Sequence, residues 1–473
     1  MTIRYPMRIA VVGLGKIGLP LAVQYAGKGH SVAGVDIDPR VVELVNAGTE
    51  PFPGEAELDG RLKRVVAEGK LRATTDFADA VPGAAVVVVV VPLVVDGNGG
   101  PDFGWLDAAT GDIAASLTPG TTVIYETTLP VGTCRTRWKP LLEQGSGLAE
   151  GTDFWVVFSP ERVLTGRVFA DLRKYPKLVG GLDSRGVGAA KARQFYTAVL
   201  DFDDRTDLPR GNGVWDLGSA EAAELAKLAE TTYRDVNIGL ANQFGRYAGA
   251  HGIDIHAVID ACNSQPYSHL HRPGIAVGGH CIPVYPRLYL WNDPSATVVR
   301  AAREANETMP SYAVDLLVAA YGDVRGAGGC DLGGAGGVDR GGAVGDAVGS
   351  AVGGDLGGAR VVVLGAAYRG GVKETAFSGV FPTVAALQSR HATVLVHDPL
   401  YDAKELTSLG LAPYHLGEPC DAAIIQADHT DYRELRPADL PGIRVLVDGR
   451  RITDAAVWTA AGVTHRTIGV GEP

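Results

Sequence analysis

The chain of 473 residues is too long for one hydrophobic core, and its length favours about three domains. Its 46% hydrophobic and 21% charged residues are ordinary for a soluble globular protein. The formal net charge of -11 argues against a broad surface for nucleic acid or an anionic membrane, so a bound phosphate must meet local donors. Five scattered cysteines show no metal-ligand spacing, and the N-terminus lacks a signal-peptide pattern, so we predict a reduced, cytoplasmic protein without a metal site.

A glycine-rich turn follows the first predicted strand. Residues 7–12 are an apolar run, residues 13–18 read Gly-Leu-Gly-Lys-Ile-Gly, and a helical pattern and a second strand, 32–35, lead to Asp36. This context predicts a dinucleotide site, because the glycines allow a tight turn and close approach of a pyrophosphate to a helix N-terminus. Asp36 would accept hydrogen bonds from both ribose hydroxyls and repel a 2′-phosphate, which favours NAD over NADP. The alternative is a glycine-rich turn that binds nothing.

Further strands are predicted at 86–91, 122–125 and 155–158, the first of them a buried valine run too short to span a bilayer. Polar residues follow the last two strands, at 126–130 and 159–162. In a doubly wound sheet the carboxyl ends of the strands line the ligand crevice, so Glu161 is a candidate site carboxylate. A solvated loop acid is the alternative.

A long helix is predicted from 219 to 249. Lys227 and Thr231 lie four residues apart on one face, and Asp235 and Asn242 extend this polar seam. A helix this long between two domains usually packs against a second copy, so we predict a homodimer. Without further context, a helical lysine is ordinarily a solvated surface charge.

A single cysteine stands in the stretch 273–284, bracketed by glycines and prolines. Glycine permits close approach of a ligand, and Pro283 fixes φ just beyond Cys281. The pattern predicts a thiol presented from a rigid turn. A buried cysteine that acts as a small apolar residue is the alternative.

Segment 326–359 is low in complexity and is predicted to be a flexible surface insertion without chemistry.

Beyond this segment the strand pattern resumes, at 360–365, 394–398, 422–425 and 445–448. The turn after the first of these strands lacks the dinucleotide glycines. The second Rossmann-like domain is therefore expected to bind a mononucleotide or a nucleotide sugar.

These motifs, in this order, resemble the UDP-glucose/GDP-mannose dehydrogenase family, the nucleotide-sugar 6-dehydrogenases. The resemblance covers nearly the whole chain outside the glycine-rich segment, and the residues that carry it are 13–18, 36–39, 126–133, 158–162, 223–228, 278–284 and 448–450. The forms Ser-Pro-Glu-Arg and Gly-Gly-His-Cys-Ile-Pro-Val look more like the branch that acts on UDP-N-acetylhexosamines. The implied fold is α/β, with two Rossmann-like doubly wound domains joined by a long central helix or helical domain. The expected bounds are 1–212 (NAD), 213–315 (helical, with the cysteine and the dimer contacts) and 316–473 (nucleotide sugar).

The resemblance implies that the sixth-carbon primary alcohol of a UDP-sugar is oxidised twice, to a uronate, with two NAD. Cys281 would attack the intermediate aldehyde, and a thiohemiacetal would be oxidised to a thioester that water hydrolyses. Lys227 would stabilise the oxyanion and Glu161 would activate water. Thr128 would position the substrate or a water, and Thr231 and Tyr285 lie in the catalytic shell.

The same resemblance assigns the binding residues. Those expected to bind the cofactor are Gly13, Gly15, Lys16, Ile17, Gly18, Asp36, Pro92 and Thr128. Those expected to bind the substrate are Glu161, Arg162, Lys227, Gly278, Gly279, His280, Tyr368, Arg369 and Arg450.

The chain departs from the family pattern at several positions. Thr231 stands where the family usually has asparagine and Tyr285 where it has aspartate, both in the catalytic shell. The usual Phe-Lys becomes Tyr368-Arg369, and an arginine upstream of the cysteine is replaced near Tyr267. Two alternatives therefore stay open: a divergent enzyme that stops at the aldehyde or takes another nucleotide sugar, and a catalytically silent protein that binds NAD and a nucleotide sugar.

Overall fold

The structure, a computed structural model, describes residues 6–96, 99–327 and 355–471. The described chain divides into two compact units. The first contains the residues up to Glu230 together with Arg287–Pro294, and the second contains Thr231–Pro286 and the described residues from Ser295 onward. No helix within the three described ranges is both long and apolar enough to cross a membrane.

The first unit is built on one large sheet. Its strands are β1 (Arg8–Val12), β2 (Ser31–Val35), β3 (Leu71–Thr74), β4 (Val86–Val89), a short hairpin of β5 (Val94–Val95) and β6 (Pro101–Asp102) outside the sheet, then β7 (Thr122–Tyr125), β8 (Trp155–Phe158), β9 (Lys177–Gly181) and β10 (Val214–Asp216). The order across the sheet is β10-β9-β8-β7-β4-β1-β2-β3. The neighbouring strands β8-β7-β4-β1-β2-β3 are all parallel, in the doubly wound order, and β9 runs antiparallel to β8.

Both faces of this sheet are buried, which explains why its strands read as unbroken apolar runs. Ile9 and Val11 point into one core, and Ala10 and Val12 into the other. The helices that cover the sheet are α1 (Gly18–Gly27), α2 (Pro39–Asn46), α3 (Leu58–Ala67), α4 (Phe77–Ala80), α5 (Gly104–Ser116), α6 (Lys139–Ser146), α7 (Val168–Lys174) and α8 (Val187–Val199). A π-helical turn, Cys134–Trp138, precedes α6. The valine strand ends at Val89, two residues before its predicted end.

The predicted long helix is α9 (Ala220–Ala250), and its residues belong to both units. It is followed by α10 (Ile255–Cys262), α11 (Tyr285–Asn292), α12 (Thr297–Glu307) and α13 (Met309–Ala327). The polar seam predicted along α9 is present: Asn306 bridges Asp235 and Asn242, and Asn242 accepts a hydrogen bond from the backbone N–H of Gly274.

The second unit holds a second parallel sheet. Its strands are β11 (Arg360–Leu364), β12 (Thr393–His397), β13 (Ala422–Ile425), β14 (Val445–Asp448) and β15 (Thr464–Thr467), in the order β12-β11-β13-β14-β15. The connecting helices are α14 (Val380–Ser389), α15 (Ala403–Ser408) and α16 (Ala455–Ala460), with short 3₁₀ turns at Thr430–Arg433 and Pro437–Asp439. Alternate residues again fill two cores, so the predicted fold class, two Rossmann-like domains with a central helical region, is confirmed.

Most of the glycine-rich segment 326–359, predicted to be a flexible insertion, lies outside the described residues, because 328–354 are not among them. Helix α13 runs through Gly326, and Leu356 and Ala359 are buried in a core of the second unit. At these two ends the chain is part of the fold. The predicted bounds of three domains remain a prediction, since the two compact units divide the chain differently.

Candidate active site

The predicted cofactor turn has the close geometry that its glycines suggested. Gly13 has a φ of 91°, in the left-handed region, and donates its N–H to the carbonyl of Val35 at 2.8 Å. A Cβ added to Gly18 would lie 1.8 Å from the carbonyl oxygen of Gly13. A side chain at position 18 would therefore push the helix start away from the turn. No side chain caps the N-terminus of α1, which leaves that end suited to an anion.

The Asp36 carboxylate is fixed at the end of β2. One oxygen accepts the N–H of Leu14 at 2.8 Å, and the other accepts the N–H of Asp38 at 3.0 Å. Each carboxylate oxygen can accept more than one hydrogen bond, so capacity remains for ribose hydroxyls. The carboxylate is held in place by the same turn that the pyrophosphate would contact.

A cavity of about 440 Å³ begins next to Asp36. It is lined by Ile37, Thr75, Asp76, Phe77, Ala78, Asp112, Ala115 and Ser116. The charged side chains among these described lining residues are the acids Asp76 and Asp112, which would repel an added phosphate. The glycine turn, the Asp36 carboxylate and this cavity together fit the adenosine half of NAD rather than NADP.

We expect Asp36→Ala to weaken NAD binding by about 10-fold or more and to reduce the preference for NAD over NADP, because about one to two hydrogen bonds to a charged acceptor are lost. Titration of both cofactors against the variant by calorimetry measures the change. Asp38→Asn is the control, since the Asp38 side chain caps α2 through the N–H of Arg40. Equal NAD affinity in Asp36→Ala and the native protein would contradict the assignment.

The other predicted cofactor residues also belong to the first unit. Lys16 is exposed and Ile17 is the N-cap residue of α1, within the glycine turn. Pro92 is exposed beyond β4, and Thr128 is buried beyond β7. Their contacts with the cofactor remain predictions.

Glu161 is not a solvated loop acid but part of a buried cluster. The Lys177 ammonium lies 2.7 Å from a carboxylate oxygen of Glu161 and 2.7 Å from one of Glu126. Glu126 also accepts the hydroxyl of Tyr196 at 2.6 Å, and that of Tyr25 lies 3.4 Å away. Because β9 runs antiparallel to β8, its first residue, Lys177, lies at the edge where β7 and β8 end. Nothing in the sequence around Lys177 signalled this contact.

The two carboxyl groups of the cluster differ in their affinity for protons. Burial raises the pKa of Glu126 to about 7 against the pull of Lys177, and the neighbouring Glu161 carboxylate adds to the rise. Although burial opposes its charge too, Lys177 and a hydrogen bond from Glu126 hold the pKa of Glu161 below its ordinary value. Glu161 is therefore the ionised member at neutral pH, as a base requires.

Three further predicted residues lie on or beside α9. Lys227 and Thr231 are both buried, which agrees with one inward face of the helix. The guanidinium of Arg162 donates to Glu230 at 2.9 Å and to the carbonyl of Pro176 at 3.3 Å. Arg162 is thus occupied within the first unit, and its role toward a substrate remains a prediction.

The Cys281 turn belongs to the second unit and packs against the turn that follows β11. Gly279 has a φ of 87° and donates its N–H to the carbonyl of Ala376 at 2.8 Å. A Cβ on Gly278 would lie 2.6 Å from the Cβ of Tyr368. Glycine is thus required at position 279 for its backbone angle and at 278 for space. The structure brings three predicted substrate residues together here.

The backbone beyond Cys281 is also fixed. Its carbonyl accepts the N–H of Tyr285 at 2.9 Å, at the start of α11. The buried Arg303 donates to the carbonyl of Ile282 at 3.2 Å and to Asp235 at 2.8 Å. The Cys281 side chain itself is half-buried. The structure therefore places the thiol on a braced turn, and sequence reasoning missed Arg303 because nothing near it in the chain marks a contact 21 residues away.

The remaining substrate candidates also belong to the second unit. His280 is exposed, with Nε2 3.7 Å from Glu374. Arg369 is exposed and donates to the hydroxyl of Tyr368 at 3.1 Å. The backbone of Gly274 approaches Arg450, since a Cβ there would lie 3.1 Å from the guanidinium.

In the second sheet, too, an aspartate follows the end of a strand, but its contacts differ from those of Asp36. Asp398, just after β12, accepts the N–H groups of Ala366 and Ala367 at 2.8 and 2.9 Å. The same carboxylate oxygen lies 3.1 Å from Nε2 of His429, and the carboxylate is buried. Unlike Asp36, Asp398 uses its carboxylate to stabilise the fold, since one oxygen faces two backbone N–H groups and a histidine. That this domain binds a mononucleotide or a nucleotide sugar rather than a dinucleotide remains a prediction.

Comparison with known proteins finds matches to one family in three parts of the chain. Residues 7–200 match the UDP-glucose/GDP-mannose dehydrogenase family, NAD binding domain; residues 221–308 match its central domain; and residues 362–455 match its UDP binding domain. The UDP-N-acetyl-D-mannosamine dehydrogenase of Pyrococcus horikoshii is 32% identical over 474 residues, which are 98% of this chain and 100% of that protein. The chain belongs to the UDP-glucose/GDP-mannose dehydrogenase family.

Two further likenesses agree with this membership. A solved structure of UDP-D-ManNAc dehydrogenase from Pyrococcus horikoshii has a TM-score of 0.81 and covers 99% of this chain and 100% of its own. The UDP-N-acetyl-D-mannosamine dehydrogenase of Escherichia coli K12 is 34% identical over 322 residues, 67% of this chain and 72% of that protein. The family resemblance read from the motifs is confirmed, and the protein is an NAD-dependent nucleotide-sugar dehydrogenase.

Proposed function

We propose that this family member oxidises the sixth-carbon primary alcohol of UDP-N-acetyl-D-mannosamine to a carboxylate, with two NAD, through a covalent bond to Cys281. The observation that carries the covalent step is the braced, half-buried thiol between Gly279 and the Arg303-bound carbonyl of Ile282. The sugar is proposed from the names of the relatives that are 32% and 34% identical to this chain.

NAD, which the glycine turn and Asp36 would hold, would supply the hydride acceptor for both oxidations, and the first oxidation also releases the proton of the alcohol. After the first, the Cys281 thiolate attacks the aldehyde carbon, a C–S bond forms, and the former carbonyl oxygen takes a proton. The second oxidation removes a hydride from that carbon and a proton from its hydroxyl, which leaves a thioester. Water then attacks the thioester carbonyl, the C–S bond breaks, and the sulfur leaves as thiolate.

The charged residues of the first unit supply the other roles. Glu161, ionised at neutral pH, takes a proton from the attacking water. The Lys227 cation stabilises the oxygen that becomes negative as the carbonyl carbon turns tetrahedral. Thr128, beyond β7, positions the alcohol or the water.

A substrate panel tests this proposal. Purified protein is incubated with NAD and UDP-N-acetyl-D-mannosamine, UDP-N-acetyl-D-glucosamine, UDP-glucose or GDP-mannose, and NADH and product mass are measured. We expect two NADH per sugar and a product that has gained one oxygen and lost two hydrogens. Loss of two hydrogens alone would mean that a chain with Thr231 and Tyr285 stops at the aldehyde. Binding of both ligands without NADH would mean a silent protein.

We also propose that the enzyme is a homodimer. Helix α9 presents a stripe of exposed apolar side chains on one face, at Tyr233, Leu240, Phe244 and Tyr247, of which 40–61% is exposed. Apolar faces of this kind are typical of protein–protein interfaces.

Light scattering is expected to give twice the chain mass for the native enzyme and the single-chain mass for Leu240→Lys/Phe244→Lys, because two charges would be buried unpaired. The control is Trp105→Lys, an exposed aromatic residue on α5. A native protein of single-chain mass would refute the dimer.

A further inference from the structure

Three charged side chains from neighbouring strands meet inside the first unit, as described above: Glu126 after β7, Glu161 after β8 and Lys177 at the start of β9. The side chains of Lys177 and Glu126 are 5% and 0% exposed, and that of Glu161 is 12% exposed. One ammonium lies at equal distance, 2.7 Å, from both carboxyl groups. No assigned role in the oxidation uses Glu126 or Lys177.

The three side chains of this cluster cannot all be ionised at the same time. Burying a net charge is costly, and one ammonium balances only one carboxylate, so one carboxyl group must keep a proton. The oxygens of Glu161 accept from Lys177 and from the N–H of Arg162 at 2.7 Å, which favours its ionised form. Glu126 receives the hydroxyl of Tyr196 and is joined to Glu161 by a hydrogen bond. Glu126 is therefore the member that holds the proton.

The groups that face the two carboxyls come from every element packed around them. They are Tyr25 on α1, Tyr196 on α8, Lys177 on β9, and Arg162 and Asp171 beside Glu161. A small cavity of about 10 Å³ is lined by Glu161, Lys177 and Arg162 among others, and this volume is near the minimum for one water. There is thus space for about one water beside Glu161, whereas Glu126 does not line this cavity.

We propose that Glu126 and Lys177 are positioning residues for Glu161. The three side chains form one proton-sharing cluster, in which Glu161 stays ionised because Glu126 holds the proton. This inference rests on the proposed role of Glu161. As the thioester is hydrolysed, an O–H bond of water breaks, a C–O bond forms, the C–S bond to Cys281 breaks, and the released proton passes to Glu161. Glu161 then returns this proton to water.

The proton-sharing cluster should show a titration that a purely structural ion pair would lack. When Glu126 loses its proton, near pH 7, the cluster contains a second carboxylate. Because like charges repel, Glu161 then binds protons more tightly. The rate of thioester hydrolysis is therefore expected to rise as the pH passes through about 7.

The test compares Glu126→Gln with the native enzyme in rapid-mixing experiments, in which the second NADH and the carboxylate are followed separately from pH 5.5 to 8.5. We expect the native rise near pH 7 to vanish in Glu126→Gln, because an amide donates to Glu161 but does not titrate. Glu224→Gln is the matched control: Glu224 is another buried carboxyl, its pKa is raised by burial to about 7, and it accepts the N–H groups of Gly132 and Cys134. This control should keep the rise.

Lys177 is tested with a conservative pair. Lys177→Met removes the cation, so we expect thioester hydrolysis to fall by about 100-fold, with the thioester accumulating on Cys281 and the first oxidation little changed. Lys177→Arg should restore most of the rate. If Lys177→Met fails to fold, the Glu126 comparison still decides the question.

A readout without turnover separates this inference from the proposed function. Infrared difference spectra between the native protein and Glu126→Gln at pH 6 should show the band of a protonated carboxylic acid, with no substrate present. A native enzyme that forms no carboxylate would overturn the proposed function while that band still tests the shared proton. A native enzyme that is active, with the pH 7 rise retained in Glu126→Gln or with the acid band missing, would overturn the inference.

Discussion

Cys281→Ser is expected to lower carboxylate formation by at least about 10³-fold, since loss of a covalent nucleophile removes a whole reaction path rather than one contact. A serine hydroxyl is almost entirely protonated at neutral pH, and it has no neighbouring base assigned to it, so it cannot replace a thiolate. The expected phenotype is at most one NADH per sugar, with an aldehyde as the only oxidised product. Mass spectrometry of the native enzyme quenched during turnover should find the sugar attached to Cys281.

The matched control is Cys262→Ser, a half-buried cysteine in the same unit. It should retain the two-NADH stoichiometry, which shows that loss of a thiol in general is harmless. Undiminished carboxylate formation by Cys281→Ser would end the covalent mechanism, while leaving the family membership and the NAD site untouched.

Arg303→Met is expected to destabilise the second unit by about 3–5 kcal/mol, because it removes a buried ion pair with the fully buried Asp235. The same substitution removes a hydrogen bond to the carbonyl of Ile282, so the turn that carries Cys281 loses a brace. We expect the midpoint of urea denaturation to fall and the oxidation rate to fall with it, even at temperatures where the variant is folded.

Two variants make this prediction specific. Glu304→Met, at the exposed position next to Arg303 on α12, should change stability by no more than about 0.5 kcal/mol. Asp235→Asn/Arg303→Met should be more stable than Arg303→Met alone, because the side chain buried at position 235 is then neutral. If Arg303→Met unfolds at the native midpoint, the buried pair does not support this unit.

The elements near the cofactor could be predicted because their signals are local. The turn at residues 13–18 is specified by its own glycines, and Asp36 follows at the end of the next apolar run. The strands at 122–125 and 155–158 were predicted with their observed bounds, since a parallel strand buried on both faces reads as a plain apolar run. The long helix was likewise predicted to within about one residue at each end.

The supporting residues could not be predicted, because their partners are distant in sequence. Lys177 meets Glu126 across 51 residues, only because β9 reverses direction beside β8. Arg303 meets Asp235 across 68 residues, through the packing of α12 on α9. The assignment of Arg287–Pro294 to the first unit had no local signal either. Periodicity reports which face of an element is buried, but not which element covers it.

The placement of Asp36 has a consequence for how coenzyme turns over. In its proposed role, the Asp36 carboxylate binds the ribose of the adenosine half, which is chemically the same before and after reduction. Those hydrogen bonds would not distinguish NADH from NAD. An enzyme that consumes two coenzymes for each sugar must exchange the first midway through the reaction. A sugar bonded to the Cys281 sulfur would stay tethered during that exchange, and a reactive aldehyde would not escape while the dinucleotide pocket stood empty.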